Sequence, residues 1–353
     1  MRIGLVAGPW IPVPPVTYGG IERVVDSLAR GFAAAGHDVV LAAPSDSACP
    51  VPLVPGMRPA HVEGLGSAIS ELSQVVRAYR AMGEVDIIHD HTLAGPLCVQ
   101  RPEQIPVVTT IHGPLNAEAV DIYRAIGPRA AVIAISRDQC SRAPEVPVTQ
   151  VIHHGMDVAS TPVGSGSGGY LCFVGRACPD KGLLEAIVVA RDAGLPLRIA
   201  VKMREPDEVR YFREVIEPML GPNEDLVGEV NDAAKYRLMG EALAVLNPIQ
   251  WSEPFGLVMI EALATGTPVI GTPIGSAPEI IDHGRTGFLG RTAQLAGFVQ
   301  EAESLSRAAC RKVAVERFSE ERMVNEHLRL FQKLLAGEMP SGVPDAVGLH
   351  QNL

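Results

Sequence analysis

Long apolar runs are missing from this 353-residue chain, although 47% of its residues are hydrophobic. Gly, Pro or charge breaks each run well short of a membrane span. The N-terminal MRIGLVAGPWIP has one Arg and a brief apolar stretch before its prolines. A signal peptide would need a longer apolar region and a small-residue cleavage site, so the segment reads as a first buried strand and a cytoplasmic location is expected. Metal-ligand spacing is absent among the six cysteines, Cys49, Cys98, Cys140, Cys172, Cys178 and Cys310. Cys172 and Cys178 lie close together, but no second pair accompanies them, which argues against structural zinc and for thiols in a reducing compartment. Excess positive charge is also lacking: the formal net charge is −10. That argues against a nucleic-acid binder and weakens docking on anionic lipid. No G-x-G-x-x-G follows the first strand, so a dinucleotide oxidoreductase loses support. No internal sequence repeat is visible.

The chain is too long for one ordinary core and fits two α/β domains. Strand candidates Ile3–Ala7, Asp38–Ala42, Asp86–His89, Val107–Ile111 and Ala131–Ile135 alternate with helical patterns such as IERVVDSLARGFAAAG. A second series starts at Tyr170 with YLCFVG, a helix near Gly182–Ala193 and PLRIAVK, and continues through LVGEV, AVLNP and TPVIGT to HGRTGFL. Strands alternating with helices predict parallel, doubly wound sheets. GSGSGG at Gly164–Gly169 reads as the interdomain linker. An amphipathic helix is expected near Glu320–Leu335, and the aperiodic GEMPSGVPDAVGLHQNL at the end is expected to be mobile.

Function is concentrated in PIQWSEPFGLVMIEALATGTPVIGTPIGSAPEIIDHGRTGFL, Pro248 to Leu289. Pro254 suits the first turn of a helix starting near Phe255. The amides of Phe255, Gly256 and Leu257 would then face an anion. Glu253 and Glu261 would stand ~12 Å apart along that helix. That is the reach of a nucleotide-sugar from its sugar hydroxyls to its ribose. Two glutamates eight apart are common, and spacing alone also fits two solvated side chains on an ordinary helix. FVGRACPDKG, Phe173–Gly182, places Arg176 and Lys181 in a loop at the carboxyl edge of a sheet, where fixed cations can neutralise a diphosphate. TYGGIERVV sets Gly19 and Gly20 before a helix, where backbone can approach a phosphate or sugar closely. HDHT and IHG end strands; their histidines lack a third ligand, and no metal is expected.

The long motif resembles the donor-binding segment of retaining glycosyltransferases of family 4, whose E-x7-E pair falls where Glu253 and Glu261 fall here. The chain looks most like the short bacterial type met in the avilamycin pathway. FVGRACPDKG resembles the family's G-R-x-x-x-x-K-G loop, TYGGIERVV its G-G-x-E element, and VIHHGMD the strand-turn usually written V-I-x-N-G-V-D, with His154 in place of Asn. The resemblance implies the GT-B fold: two Rossmann-like domains facing a central cleft, with the last helix crossing back to the N-terminal domain. The domains are then 1–163 for the acceptor, 170–318 for the donor, and 319–336 for the crossing helix. It also implies transfer of a sugar with retention from a nucleotide-sugar, UDP favoured, to a hydroxyl of a small-molecule or oligosaccharide acceptor.

On this resemblance Glu253, His112, Arg176 and Lys181 are the catalytic residues. Glu253 orients the sugar, His112 bonds one of its hydroxyls, and Arg176 and Lys181 hold the diphosphate. Glu261 grips the ribose, while Gly19, Gly20, Phe255, Gly256 and Leu257 complete the donor site. Tyr18, His91 and Asn116 are expected on the acceptor side. The sequence has no D-x-D, the motif through which metal-dependent GT-A enzymes hold the diphosphate, so no metal or other cofactor is expected beyond the nucleotide-sugar co-substrate. A GT-B phosphorylase, a sugar-nucleotide epimerase, a non-catalytic nucleotide-sugar sensor and a membrane-associated transferase stay open. Ser67–Gly83 is amphipathic, but its only cations are Arg77 and Arg80, too few for a polybasic anchor.

Overall fold

The computed structural model describes residues 1–16 and 19–338. Its chain divides into two compact units, one of Met1–Val13, Ala29–His153 and the segment from Val324, the other of Pro14–Leu28 and His154–Met323.

The elements up to His153 run β1 (Arg2–Val6), α1 (Gly20–Ala34), β2 (Asp38–Ala42), α2 (Ala68–Ala81), β3 (Ile87–Asp90), β4 (Val107–Thr110), α3 (Ala117–Ile126), β5 (Ala131–Ala134), α4 (Arg137–Ser141) and β6 (Gln150–Val151). The six strands form one parallel sheet in the order β2-β1-β3-β4-β5-β6. Strands β3, β4 and β5 are buried along their whole length, as parallel strands covered on both faces must be. Val6, Val75, Tyr79, Ile88, Ile126 and Val132 form part of the core.

The remaining elements run β7 (Leu171–Arg176), α5 (Leu183–Asp192), β8 (Leu197–Lys202), α6 (Pro206–Tyr211), β9 (Glu224–Leu226), α7 (Asp232–Glu241), β10 (Ala244–Asn247), α8 (Leu257–Ala264), β11 (Val269–Gly271), α9 (Ala277–Ile280), β12 (Gly287–Leu289), α10 (Phe298–Ala302), α11 (Arg307–Phe318) and α12 (Glu320–Leu335). Their sheet is also parallel, ordered β12-β11-β10-β7-β8-β9. Its core includes Phe173, Leu183, Ile187, Ile199, Leu246 and Ile270. The expected α/β class with two Rossmann-like sheets is observed.

From Val324 onward α12 packs within the first unit. Phe331 lies 5.5 Å from the Phe32 ring and 5.7 Å from His89. A Cβ on Gly31 would fall 2.3 Å from Val324 Cγ2, so α1 and α12 touch through a glycine. No helix among the described residues is long and apolar enough to cross a membrane.

Several boundaries differ from expectation. The strand expected in LVGEV lies earlier, at Glu224–Leu226, and a short sixth strand, β6, precedes His153. Gly164–Gly169 is no free linker. Gly164 N–H donates to the Thr265 carbonyl and Gly166 N–H to the Gly240 carbonyl, both at 3.0 Å. A Cβ on Gly164 would sit 2.1 Å from Gly240 backbone, so glycine there serves close packing rather than flexibility. The tail from residue 339, expected to be mobile, lies outside the described residues.

Candidate active site

Strand β7 delivers Arg176 at its carboxyl end, and the following loop turns back through Gly182 into α5. Gly182 has φ +74°, and a Cβ there would fall 1.9 Å from the Pro248 carbonyl oxygen. Only glycine lets the loop lie this close to the segment after β10. Gln250 N–H donates to the Asp180 carbonyl at 2.8 Å and ties the two segments together. The result brings Lys181 and Glu253 into an ion pair. Both side chains are largely buried, and Lys181 Nζ stands 5.9 Å from the Trp251 ring centre.

Arg176 has a different partner. Its Nη1 lies 3.6 Å from Glu208 Oε1, and Lys202, its register neighbour on β8, lies 3.4 Å from Glu208 Oε2. Glu208 also accepts the backbone N–H of Arg204 at 3.0 Å and of Glu205 at 3.2 Å. The two expected diphosphate cations are thus held by separate carboxylates. Each can exchange that partner for a phosphate oxygen.

The glutamate motif is not one continuous helix. Gly256 has φ +84° and α8 begins only at Leu257, so Pro254 and Phe255 belong to the preceding turn. The left-handed glycine stops the helix from extending back to Phe255. Residues 275–276 brace that turn: Ser276 N–H donates to the Glu253 carbonyl at 3.1 Å, and a Cβ on Gly275 would fall 2.5 Å from the same oxygen. The Phe255 ring is core, edge-on to His154 at 5.2 Å and to Phe318 at 6.1 Å, leaving its backbone as the part that can face a ligand. His154 is correspondingly structural; its carbonyl accepts a hydrogen bond from Arg322 at 3.0 Å. Glu261, inside α8, is buried, with Lys235 Nζ 2.5 Å from its Oε1.

Gly19 and Gly20 cluster with these residues in the second unit. Gly19 has φ +153°, and a Cβ there would meet Glu22 Oε2 at 2.9 Å. Gly20, the first residue of α1, would place one 3.4 Å from Leu257 Cδ1, so the glycine turn lies at the start of α8. Burial pushes the Glu22 carboxyl up to about 7, and a bond from its own backbone N–H opposes that rise.

In the first unit, His91 Nδ1 and His112 Nε2 are 2.9 Å apart. His89 Nε2 bonds Thr110 Oγ1 at 2.8 Å, and its ring lies 4.1 Å from that of His91. Burial and the nearby His327 hold His112 down at about 3, so its ring is neutral at ordinary pH. The pair therefore shares one proton-bearing nitrogen, and His91 contacts His112 directly. Asn116 is the N-cap of α3, its Oδ1 accepting Ala119 N–H at 2.9 Å. The loop after β3 is shaped by two buried carboxylates. Asp90 accepts Tyr79 Oη–H at 2.6 Å and Thr92 Oγ1–H at 2.7 Å, while Glu71 accepts Leu93 N–H at 3.3 Å and Ala94 N–H at 3.2 Å. Tyr18 lies outside the described residues. No group of His, Cys, Asp and Glu among the described residues is arranged to hold a metal ion.

Residues 18–160 match the family model described as Glycosyltransferase Family 4, and residues 165–334 the one described as Glycosyl transferases group 1. The two matches cover both sheets apart from β1, and every residue of the site described above. The chain is a glycosyltransferase. It is 28% identical over 340 residues to a phosphatidyl-myo-inositol mannosyltransferase of Mycolicibacterium smegmatis, covering 85% of each chain. The crystal structure of AviGT4, a glycosyltransferase involved in avilamycin A biosynthesis, matches with TM-score 0.72 and 26% identity over 95% of this chain and 98% of that one. Anabaena HepE, solved in complex with UDP-glucose, shares the fold at TM-score 0.73 and 19% identity, covering 94% of this chain and 100% of HepE.

Sequence reasoning missed four residues around this glycosyltransferase's candidate site: Glu22, Lys202, Glu208 and Lys235. The fourth position of the G-G-x-E element marked Glu22 only as part of a motif. Lys202 carried a weaker signal, as a cation ending a buried strand. Nothing in the sequence distinguished Glu208 or Lys235, whose pairing with Arg176 and with Glu261 crosses from one element to another.

Proposed function

We propose that this glycosyltransferase moves a sugar from a nucleotide-sugar, a UDP-sugar in the first instance, to a hydroxyl of a small-molecule or oligosaccharide acceptor, with retention and without a metal. The observation that carries the reading is the Lys181–Glu253 ion pair, with Arg176 in the same unit. A cation for the leaving diphosphate and a carboxylate for the sugar are held side by side. The UDP-glucose bound to HepE supports the choice of donor class.

As the glycosidic C–O bond stretches, the sugar gains positive character and the diphosphate gains negative charge. Lys181 and Arg176 stabilise the latter more in the transition state than in the ground state. Glu253, released from Lys181 as phosphate oxygens take its place, orients and stabilises the sugar. On the same-face attack implied for the family, a donor phosphate oxygen accepts the acceptor's proton and no protein base is required. His112, neutral, bonds a sugar hydroxyl, and His91 fixes which of its nitrogens carries the proton. The cytoplasmic location expected from the sequence belongs to this proposal too.

Donor consumption with UDP-sugars over an acceptor panel, in excess EDTA, tests the reading, with the anomeric configuration of the product read by NMR. Retained configuration at undiminished rate supports it. An inverted product, or activity restored only by Mg²⁺ or Mn²⁺, overturns it.

A further inference from the structure

Glu261 does not stand alone in its helix. Lys235 Nζ, on α7, lies 2.5 Å from Glu261 Oε1 and 3.1 Å from Asp232 Oδ1. Asp232 in turn pairs with Arg23 in the second turn of α1. Arg23, Asp232, Lys235 and Glu261 form a continuous chain of alternating charge from the glycine turn to α8, inside one unit. A second contact follows the same route: Leu257, one turn before Glu261 on the same face of α8, lies where a Gly20 Cβ would meet it. From Asp232 inward the charged groups become less exposed toward Glu261. Side-chain exposure is 39% at Asp232, 11% at Lys235 and 8% at Glu261.

A buried charge needs a paired opposite charge, and a glutamate needs a fixed contact to present one oxygen in a constant direction. Lys235 supplies both. With Oε1 held by the ammonium, Oε2 is the oxygen to be offered to a hydroxyl. We propose that Lys235 is a positioning residue for nucleoside recognition, holding Glu261 for the ribose diol, with Asp232 and Arg23 as the outer supports that tie this geometry to the Gly19–Gly20 turn. The inference rests on the reading of Glu261 as the ribose ligand. Lys235 contacts no substrate on this account; it acts through Glu261. The nucleoside end of the donor is bound equally in ground and transition states, so loss of Lys235 appears in binding rather than in turnover.

The test measures UDP, ADP and GDP binding to the full-length protein by titration calorimetry, using whichever binds wild type most tightly, beside donor KM and kcat. Lys235→Ala, Lys235→Met, Lys235→Arg, Glu261→Ala and the double variant Lys235→Ala/Glu261→Ala are compared, with melting curves to confirm folding. Lys235→Met keeps the aliphatic stem and serves where the alanine variant does not fold. Lys235→Met or Lys235→Ala is expected to weaken nucleotide binding about tenfold and raise donor KM alike, with kcat within about twofold of wild type. Lys235→Arg should recover most of the loss, and the double variant should bind no more weakly than Glu261→Ala alone. Wild-type binding in the Lys235 variants, or losses that add in the double variant, overturns the positioning role. Unchanged binding in Glu261→Ala overturns the ribose assignment itself, a failure visible in that single variant. Failure of all three nucleotides to bind wild type overturns the nucleotide-sugar reading, and this inference with it.

Discussion

Lys181 and Glu253 share one ion pair, so the cation assigned to the diphosphate and the carboxylate assigned to the sugar form a single electrostatic unit. Neither can be changed without altering the other. Lys181→Ala removes a charge-assisted donor and leaves Glu253 largely buried without its cation. We expect kcat to fall about 10²–10³-fold, and a similar loss for Arg176→Ala. Combining Lys181→Ala with Glu253→Gln should cost less than the two single losses together. Near-wild-type kcat/KM in both cation variants would place the diphosphate elsewhere.

The Lys181 loop depends on Gly182. Its φ of +74° and the 1.9 Å approach of a would-be Cβ to the Pro248 carbonyl leave no room for a side chain. Gly182→Ala should destabilise the protein by about 1 kcal/mol or more from the left-handed backbone, with the clash in addition. Thermal melts check the stability, and donor KM checks that Lys181 has been displaced. Unchanged values for both would show that the loop adapts freely.

Glu22 gives a pH dependence with a definite sign. Its carboxyl titrates at about 7 in the folded protein against an ordinary 4.5, because burial disfavours the charge. Between these values the folded state holds a proton that the unfolded state has lost. This group's contribution to stability therefore falls as pH rises from about 4.5 to about 7, and is constant outside that window. Glu22→Gln, always neutral, should gain melting temperature relative to wild type across the same interval. A difference that stays flat from pH 4 to 8 would contradict the assignment.

Much of the fold could be read from the sequence because parallel strands buried on both faces leave short β-branched runs. VVLA at β2 and VVTT at β4 are examples, and amphipathic periodicity set α12 at its observed Glu320–Leu335. The start of α8 was misplaced because Pro254 is a plausible first-turn residue, whereas Gly256 takes a left-handed conformation in the fold. The apparent linker at residues 164–169 failed for a related reason: glycine permits flexibility and close packing equally, and only the position of Gly240 decides between them. At the site, Glu253, Lys181 and Arg176 stood out because their motifs are local. Glu208 and Lys235 did not, since each acquires its meaning from a partner on another element.

The most direct test of the account compares Glu253→Gln with Glu261→Ala by titration calorimetry with UDP and by steady-state kinetics. Glu253 is assigned to the sugar, where charge and shape change most, and Glu261 to the ribose, which changes little. The account predicts that Glu253→Gln depresses kcat without weakening UDP binding, since it frees Lys181 for the diphosphate. Glu261→Ala should instead weaken UDP binding and raise donor KM with little effect on kcat. Weaker UDP binding in Glu253→Gln than in Glu261→Ala would reverse the orientation of the donor along this segment and contradict the account.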